Sequence, residues 1–280
     1  MYRYNVSSNQ TAFRSHIPLT DEQIARYAPS VLATEAHESR GERYAFIPTI
    51  DVLNGLRREG FQPFEVRQTR VRDQSKREHT KHLVRLRHAS SIQGAEVPEI
   101  VLLNSHDGTS SYQLLAGIFR FVCSNGLIAG DVCNDVRVRH SGNVVDNVIE
   151  GSYTVLDNLR EITSRIDDYR GTQLTPQQQL AFANAALALR YDEGEAPIQA
   201  EQLVRPRRSA DANRDLWSTF NVAQEHLIKG GVRGRSASGR RTSTRAVGGV
   251  TENVKLNRAL WTLADHLAGH VRGERLLEAA

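Results

Sequence analysis

Apolar and polar residues alternate most clearly between Phe64 and His88, in the two runs FEVRQTRVRD and KHLVRLRH. A repeat of two is the period of a β-strand, and the charged segment 74–80 between the runs is typical of a turn. The stretch therefore predicts a long β-hairpin. Strand alternation places Lys81, Leu83, Arg85 and Arg87 on one face and His82, Val84, Leu86 and His88 on the other. We expect one face to pack on the core and the other to offer cations to the solvent.

The next apolar run, EIVLLN at residues 99–104, predicts a strand that ends in a polar turn at residues 105–108. Gly108 suits a positive φ in that turn. Apolar residues then recur at the spacing of a helical stripe, at Tyr112, Leu115, Ile118, Phe119 and Val122. Ser110 or Ser111 supplies an N-cap, and Asn125-Gly126 supplies a stop. The pattern predicts a buried central helix over residues 112–122.

Helical periodicity dominates the second half of the chain, where four amphipathic segments carry start or stop signals. They are residues 152–170, a segment that begins at Thr175-Pro176, and residues 211–229 and 253–270. In the first half, a capping box at Thr20–Gln23 predicts a short helix that Pro29 interrupts. Residues 44–48 predict a strand, and residues 50–59 predict a second helix that Thr49 caps. Val136, Arg137, Val138 and Arg139 alternate as in a further strand.

These elements predict an α+β fold. An N-terminal sheet rich in β-hairpins packs on the central helix within residues 1–150, and residues 151–280 form a largely helical region. A chain of 280 residues is long enough to bury a real core. No stretch approaches the roughly 18 apolar residues of a membrane span. Two cysteines and no apolar leader favour a cytoplasmic location.

Positive charge is concentrated in two segments. The chain holds 36 Lys plus Arg against 32 Asp plus Glu, a net charge of +4. Residues 67–87 hold eight basic and two acidic residues, and residues 229–245 hold six basic residues and no acid amid Gly, Ser and Thr. The second segment has too little apolar surface to order itself, so residues 231–249 predict a mobile basic loop. Basic Gly/Ser-rich loops bind phosphate backbones by releasing counterions.

His106 beside Asp107, with Asn104 nearby, is the strongest candidate for chemistry. An imidazole and a carboxylate can form an acid/base pair or ligate a metal. The same residue types also supply the internal hydrogen bonds of a turn, which is the interpretation we favour. Cys123 and Cys133 are ten residues apart and have no CxxC partner, so we expect buried thiols and no zinc site. No metal or cofactor is expected.

Three motifs follow one another along the chain: NSHDGTSSYQLLAGIFRFVCSNGL, WSTFNVAQEHLIKGG and NVKLNRALWTLADHL, with the basic segment between the last two. In order and spacing they resemble the plasmid- and phage-borne family catalogued as domain of unknown function 932, over most of the chain. The family label implies no activity. The order of elements is also similar to that of single-strand annealing recombinases. That analogy implies a homo-oligomer, ring-shaped as in those proteins, that holds single-stranded DNA in a basic groove.

The resulting hypothesis is a non-enzymatic protein that binds and anneals single-stranded DNA through the phosphate backbone. The residues expected to line the groove are Arg67, Lys81, Arg85, Arg87, Arg137 and Arg139, and those expected to clamp the strand are Arg233, Arg235, Arg240 and Arg241. Two alternative functions stay open: a counter-defence factor that binds a host protein, and a metal-dependent nuclease centred on His106 and Asp107. The groove arginines also have an alternative role, as surface ion pairs with Glu65, Asp131 or Asp135.

Overall fold

The computed structural model describes residues 11–40, 44, 46–92, 96–121, 125–128, 136–138 and 144–273. The chain divides into two compact units. The first comprises Met1–Phe121 and Asn134–Asn158, and the second comprises Val122–Cys133 and Leu159–Ala280. Cys123, Cys133, Asp131, Asp135 and Arg139 lie outside the described residues.

The regular elements of the described residues are numbered in chain order. The strands are β1 (Ala12–Arg14), β2 (Phe61–Gln68), β3 (His82–His88), β4 (Glu96–Asn104), β5 (Tyr112–Arg120), β6 (Asn125–Ile128), β7 (Val136–Val138), β8 (Arg233–Arg235) and β9 (Arg241–Ser243). The helices are α1 (Asp21–Tyr27), α2 (Thr49–Arg58), α3 (Val144–Gly171), α4 (Pro176–Ala188), α5 (Ala200–Leu203), α6 (Leu216–Lys229) and α7 (Val250–Val271). The predicted α+β class is confirmed.

The first unit is built on an antiparallel sheet. Among the described strands, β1, β2, β3, β4 and β5 are neighbours in that order, and β7 also pairs with β5. The predicted hairpin is confirmed as β2 and β3, with Gln68 opposite His82 at its loop end. Its register shifts between Pro63 and Glu65, as expected where a proline cannot donate to the ladder. The loop end of the hairpin therefore lies opposite the end of β4, where Asn104 faces His82.

The predicted central helix is wrong, because residues 112–120 form strand β5. Six consecutive residues, 114–119, are buried and none of the nine positions of β5 is exposed, so the strand is covered on both faces. A strand buried on both faces loses the alternation of a half-exposed strand, so its apolar residues matched a helical spacing by coincidence. The sheet instead contacts α1 and α2, and Phe13 of β1 stacks on Tyr27 of α1 at 4.5 Å between ring centroids. Residues 44 and 46–48, expected as a strand, have no regular structure.

The start signals of α1 and α4 were interpreted correctly, whereas the predicted cap Thr49 is instead the first residue of α2, which has no side-chain cap. Thr20 and Gln23 form a reciprocal capping box at α1, and Thr175 and Gln178 form another at α4, with Pro176 in the first turn. Helix α6 begins later than expected, after Asp215, whose carboxylate accepts a hydrogen bond from the Ser218 backbone N–H at 2.8 Å. Each start depends on a side chain within three residues of the helix, which is why the sequence suffices to locate it.

In the second unit, α6 contacts α4, α5 and α7 and is buried from Leu216 to Ile228. The core contains an aromatic cluster. Trp261 of α7 meets Phe220 edge-to-face at 6.1 Å and lies 5.4 Å from Tyr169, between ring centroids. The Tyr169 hydroxyl donates to the Asp265 carboxylate at 2.6 Å. Helix α6 is buried up to Ile228, and the basic segment follows its last residue, Lys229.

Candidate nucleic-acid interface

The basic segment after α6 contains a β-hairpin, so strands β8 and β9 replace part of the loop that was predicted over residues 231–249. Strands β8 and β9 pair with Arg233 opposite Ser243 and Arg235 opposite Arg241. At the base of the hairpin, the Gly231 N–H donates to the Thr244 carbonyl at 2.8 Å. At its tip, the Ser236 N–H donates to the Arg240 carbonyl at 2.9 Å. The segment is ordered by backbone pairing, which needs little apolar surface of its own.

Contacts with α5 and the segment before it hold the hairpin from one side. The Arg235 N–H donates to the Pro197 carbonyl at 2.7 Å, and the Gln202 amide donates to the Arg233 carbonyl at 2.9 Å. A Cβ added to Gly234 would lie 1.8 Å from the Pro197 carbonyl oxygen, so only glycine permits this approach. Side chains of successive strand residues point to opposite faces. The side chains of Arg233 and Arg235 therefore lie on the face opposite to the Cα hydrogen of Gly234.

The docking of Gly234 can be tested by a single methyl group. Gly234→Ala should detach the hairpin from Pro197, since the clash is with backbone that cannot rotate away. We expect limited trypsin cleavage within residues 233–241 to accelerate by about tenfold or more, because local opening exposes the backbone to protease. Ala237→Ser, at an exposed position of the tip, is the matched control and should be cleaved at the wild-type rate. Equal cleavage of both variants would contradict the tight approach.

Four arginines of the hairpin are exposed: Arg233, Arg235, Arg240 and Arg241. In the part of the chain that the structure describes, none of them forms an ion pair with a carboxylate. The Arg235 Nη1 donates to the Gly239 carbonyl at 3.0 Å, across the tip. Lys229 differs, because its ammonium lies 3.1 Å from the Glu225 carboxylate. The positive charge of this segment is thus concentrated on the hairpin itself.

Arg85 and Arg87 of β3 were expected to face solvent, and that prediction is wrong. Their side chains are 2% and 0% exposed. The Glu99 carboxylate of β4 lies 2.8 Å from the Arg85 Nη1 and 2.8 Å from the Arg87 Nε. The alternation that put both arginines on one face was correct, but the facing strands carry carboxylates on that face. A guanidinium enclosed in this way is not available to a phosphate in the described state.

Glu65 of β2 extends the same buried ionic ladder. It accepts hydrogen bonds from Arg14 and Arg67, and the Arg85 Nε lies 3.6 Å away. The alternative in which the arginines pair with Glu65 is therefore confirmed for Arg67 and Arg85, although inside the sheet and not at its surface. Burial raises the pKa of Glu65, but the three guanidiniums outweigh burial and lower that pKa to about 2. Four arginines in this ladder share two carboxylates.

Aromatic rings enclose the rest of the Arg87 guanidinium. Its Cζ atom lies 3.8 Å from the centroid of the Phe119 ring and 4.4 Å from that of Phe64. Both of its terminal nitrogens are buried without a hydrogen-bond partner. Burial lowers the pKa of Arg87, and Glu99 opposes that shift. Cation–π contact with the rings is the interaction that replaces water at these nitrogens.

The remaining groove candidates are placed differently. Lys81 is half-buried and directly precedes β3, where its carbonyl accepts from the Thr69 N–H at 2.8 Å. Arg137 lies in β7 opposite Gln113, and its side chain is outside the described residues. Arg139 is also outside them. The structure thus removes Arg85 and Arg87 from the groove and engages Arg67 with Glu65, so no groove forms from the described members of this set.

His106 is fully buried in a polar cluster that the sequence did not indicate. Thr49, the first residue of α2, is its centre. The Thr49 hydroxyl lies 2.9 Å from His82 Nε2, 3.3 Å from His106 Nε2 and 3.1 Å from the Tyr112 hydroxyl, and it accepts from the Asn104 amide at 3.0 Å. All five residues are buried. These contacts join α2 to the ends of β3, β4 and β5. The role that they indicate for His106 is structural.

Asp107 serves the turn that follows β4. Its Oδ1 accepts from the Thr109 backbone N–H at 3.0 Å and from the Thr109 hydroxyl at 2.6 Å. Gly108 has φ of 76°, so the predicted positive φ is confirmed. Among the described residues, no group of three or more His, Cys, Asp or Glu is arranged to hold a metal ion. Likewise, no helix within the described ranges is long and apolar enough to cross a membrane.

Comparison with known proteins agrees with the family resemblance. The family model described as "Domain of unknown function (DUF932)" matches residues 36–261, and the chain belongs to that family. The chain is 54% identical to "UPF0380 protein YfjQ" of Escherichia coli (strain K12) over 250 residues, which cover 89% of this chain and 92% of the relative. It is 53% identical to "UPF0380 protein YafZ" of the same organism, with the same coverage. No solved structure matches the chain.

Proposed function

We propose that this protein is a non-enzymatic single-stranded DNA-binding protein that grips the phosphate backbone and promotes annealing. The observation that carries the proposal is the fixed β8–β9 hairpin, whose four exposed arginines have no acidic residue within residues 229–245. Because the hairpin is already ordered, binding does not require a conformational entropy cost for its backbone. The charges are held in place before the ligand arrives.

Arginine suits this task for two reasons. Its planar guanidinium donates two parallel hydrogen bonds to phosphate oxygens, and it stays charged at every physiological pH. Neutralising phosphates also releases condensed counterions, which makes binding independent of base sequence and dependent on salt. Strands that lose part of their charge repulsion approach one another more readily, which favours annealing. As a further part of the proposal, several copies of the chain act together as a homo-oligomer along the strand.

The expected result for the variant R233S/R235S/R240S/R241S is a DNA affinity at least about tenfold lower near physiological salt. The dependence of log affinity on log salt should flatten by about 3 units, at roughly 0.7 per single-strand phosphate. The melting temperature should stay close to the wild-type value, because these side chains are exposed and their removal buries nothing. Fluorescence anisotropy with labelled oligonucleotides over a salt series measures the first two quantities.

A second quadruple variant controls for net charge. R70S/R72S/K76S/R77S removes the same charge from exposed positions in and before the β2–β3 loop. It should keep affinity within about twofold of wild type, because the proposal assigns the phosphate contacts to the β8–β9 hairpin. Equal losses in both variants would show a general effect of net charge, and no loss in the hairpin variant would overturn the proposed function. Light scattering with and without oligonucleotide tests the homo-oligomer.

A further inference from the structure

A pocket of about 470 Å³ lies between the carboxyl end of α4 and the first turns of α7. Its lining mixes apolar and charged side chains: Leu189, Arg190, Thr251, Glu252, Lys255, Leu256 and Ala259. Leu189 is 42% exposed, and Thr251, Glu252 and Lys255 are exposed too, so the rim of the pocket faces solvent. Its volume is within the roughly 300–1,000 Å³ of sites that take small organic groups.

One side chain joins this pocket to the cationic hairpin. Arg190 lines the pocket, and its Nη2 donates to the Arg245 carbonyl at 2.5 Å, just after β9. Its Nη1 donates to the Leu227 carbonyl in the last turns of α6. The guanidinium is therefore held between the two chain segments that enter and leave the hairpin. The Tyr191 ring centroid lies 5.3 Å from the Arg190 Cζ.

We propose that the pocket receives an unpaired nucleobase, with its sugar, from the strand whose phosphates the hairpin contacts. This inference rests on the proposed function and adds a means of distinguishing single strands from duplexes, which the hairpin lacks. Guanidinium–phosphate contacts act on any nucleic acid backbone and do not distinguish one strand from two. A base in a duplex is stacked and paired and reaches a pocket only after it is flipped out, whereas a base of a single strand is already accessible. The pocket therefore selects single strands.

The lining offers the interactions that a base uses. Leu189, Leu256 and Ala259 supply apolar surface for the ring faces, and the guanidinium of Arg190 is a planar cation of the kind on which bases stack. Thr251, Glu252 and Lys255 bring a hydroxyl, a carboxylate and an ammonium to the rim. Together they can both donate to and accept from the edges of a base. Such a mixed rim tolerates different bases and fits binding without strong sequence preference.

The test fills the pocket and leaves the hairpin unchanged. Ala259→Trp places an indole in the space between α4 and α7, and Ala259→Ser is the matched control that keeps the pocket open. Probes are a labelled (dT)20 strand and a 20-base-pair duplex, measured by anisotropy at one salt concentration. We expect Ala259→Trp to bind (dT)20 at least about tenfold more weakly, since base contacts of this kind are strong. Its duplex affinity should stay within twofold of wild type, and Ala259→Ser should match wild type for both.

Photocrosslinking of the wild-type protein covers the case in which Ala259→Trp does not fold. A (dT)20 strand carrying 5-iododeoxyuridine should crosslink to residues 189–191 or 251–259, located by mass spectrometry. Wild-type (dT)20 affinity in folded Ala259→Trp, or crosslinks confined to other residues, would overturn the pocket while the hairpin proposal stands. Wild-type affinity in the quadruple serine variant instead overturns the hairpin proposal, so the two failures are distinguishable.

Discussion

Glu99→Ala should lower the free energy of unfolding by about 3 to 5 kcal/mol, which is the typical cost of removing one partner from a buried ion pair. The Glu99 side chain is 0% exposed and binds both Arg85 and Arg87. Without it, Arg87 loses its carboxylate partner while aromatic rings still enclose its charge. Chemical denaturation followed by circular dichroism measures the loss.

Two comparisons separate burial from ion pairing as such. Asp21→Ala breaks a pair of similar length, 2.7 Å to Arg57, but the Asp21 side chain is 52% exposed, so we expect a cost below about 1 kcal/mol. R85M/R87M/E99M replaces Glu99 and its two arginine partners by apolar side chains and should recover most of the stability that Glu99→Ala loses. A cost for Glu99→Ala as small as that for Asp21→Ala would contradict the buried ladder.

Acidification from pH 7 to pH 4.5 should destabilise the protein by about 2 kcal/mol through His82 alone. Burial lowers the pKa of His82 from 6.5 to about 4. Between these values the unfolded chain binds a proton that the folded chain does not, so the stabilisation is complete above pH 6.5 and falls as the pH approaches 4. His82 Nδ1 lies 3.1 Å from the Thr80 carbonyl and therefore carries the proton, which leaves Nε2 to accept from Thr49.

The matched variant is His82→Gln, which keeps a polar group near Thr49 and cannot titrate. The difference between the urea midpoints at pH 7 and pH 4.5 should be smaller in the variant than in the wild type, and burial of His226, which lowers its pKa, accounts for part of what remains. Glu65 acts in a lower window, because its pKa is lowered from 4.5 to about 2 and its stabilisation is lost as the pH falls through that range. An identical pH dependence in wild type and His82→Gln would rule out His82 as the titrating group.

The hairpin of β2 and β3 shows what the alternation of apolar and polar residues can predict about a strand and what it cannot. Period two located both strands and placed Arg85 and Arg87 on the same face, because those properties are local. Whether a face meets solvent depends on the neighbouring strands. Glu65 lies on β2 and Glu99 on β4, and nothing within the run KHLVRLRH indicates that two carboxylates will cover Arg85 and Arg87. A charged side chain in a strand predicts solvent exposure only when the neighbouring strands carry no side chain of opposite charge beside it.

Two of the wrong secondary-structure predictions, the central helix and the loop over residues 231–249, have different physical causes. Strand β5 has buried residues on both faces, so its composition does not report a period of two. The β8–β9 hairpin has almost no apolar residues, and its order depends on Pro197, Gln202 and Arg190, which are distant in sequence. The signal that was available there was Gly239, whose φ of 77° serves the turn between two short polar strands. The four clamp arginines could be named from sequence, but their fixed position could not.

The base of the β8–β9 hairpin is closed on itself. The Thr244 N–H donates to the Val232 carbonyl at 2.9 Å, and the Val247 N–H donates to the Ile228 carbonyl at 2.8 Å. Chain leaving α6 and chain approaching α7 are therefore already adjacent before the hairpin begins. Residues can be added, removed or exchanged at the tip without altering the spacing between the two helices that carry it. The length and charge of the hairpin tip can therefore change in evolution without a change in the packing of the two helices.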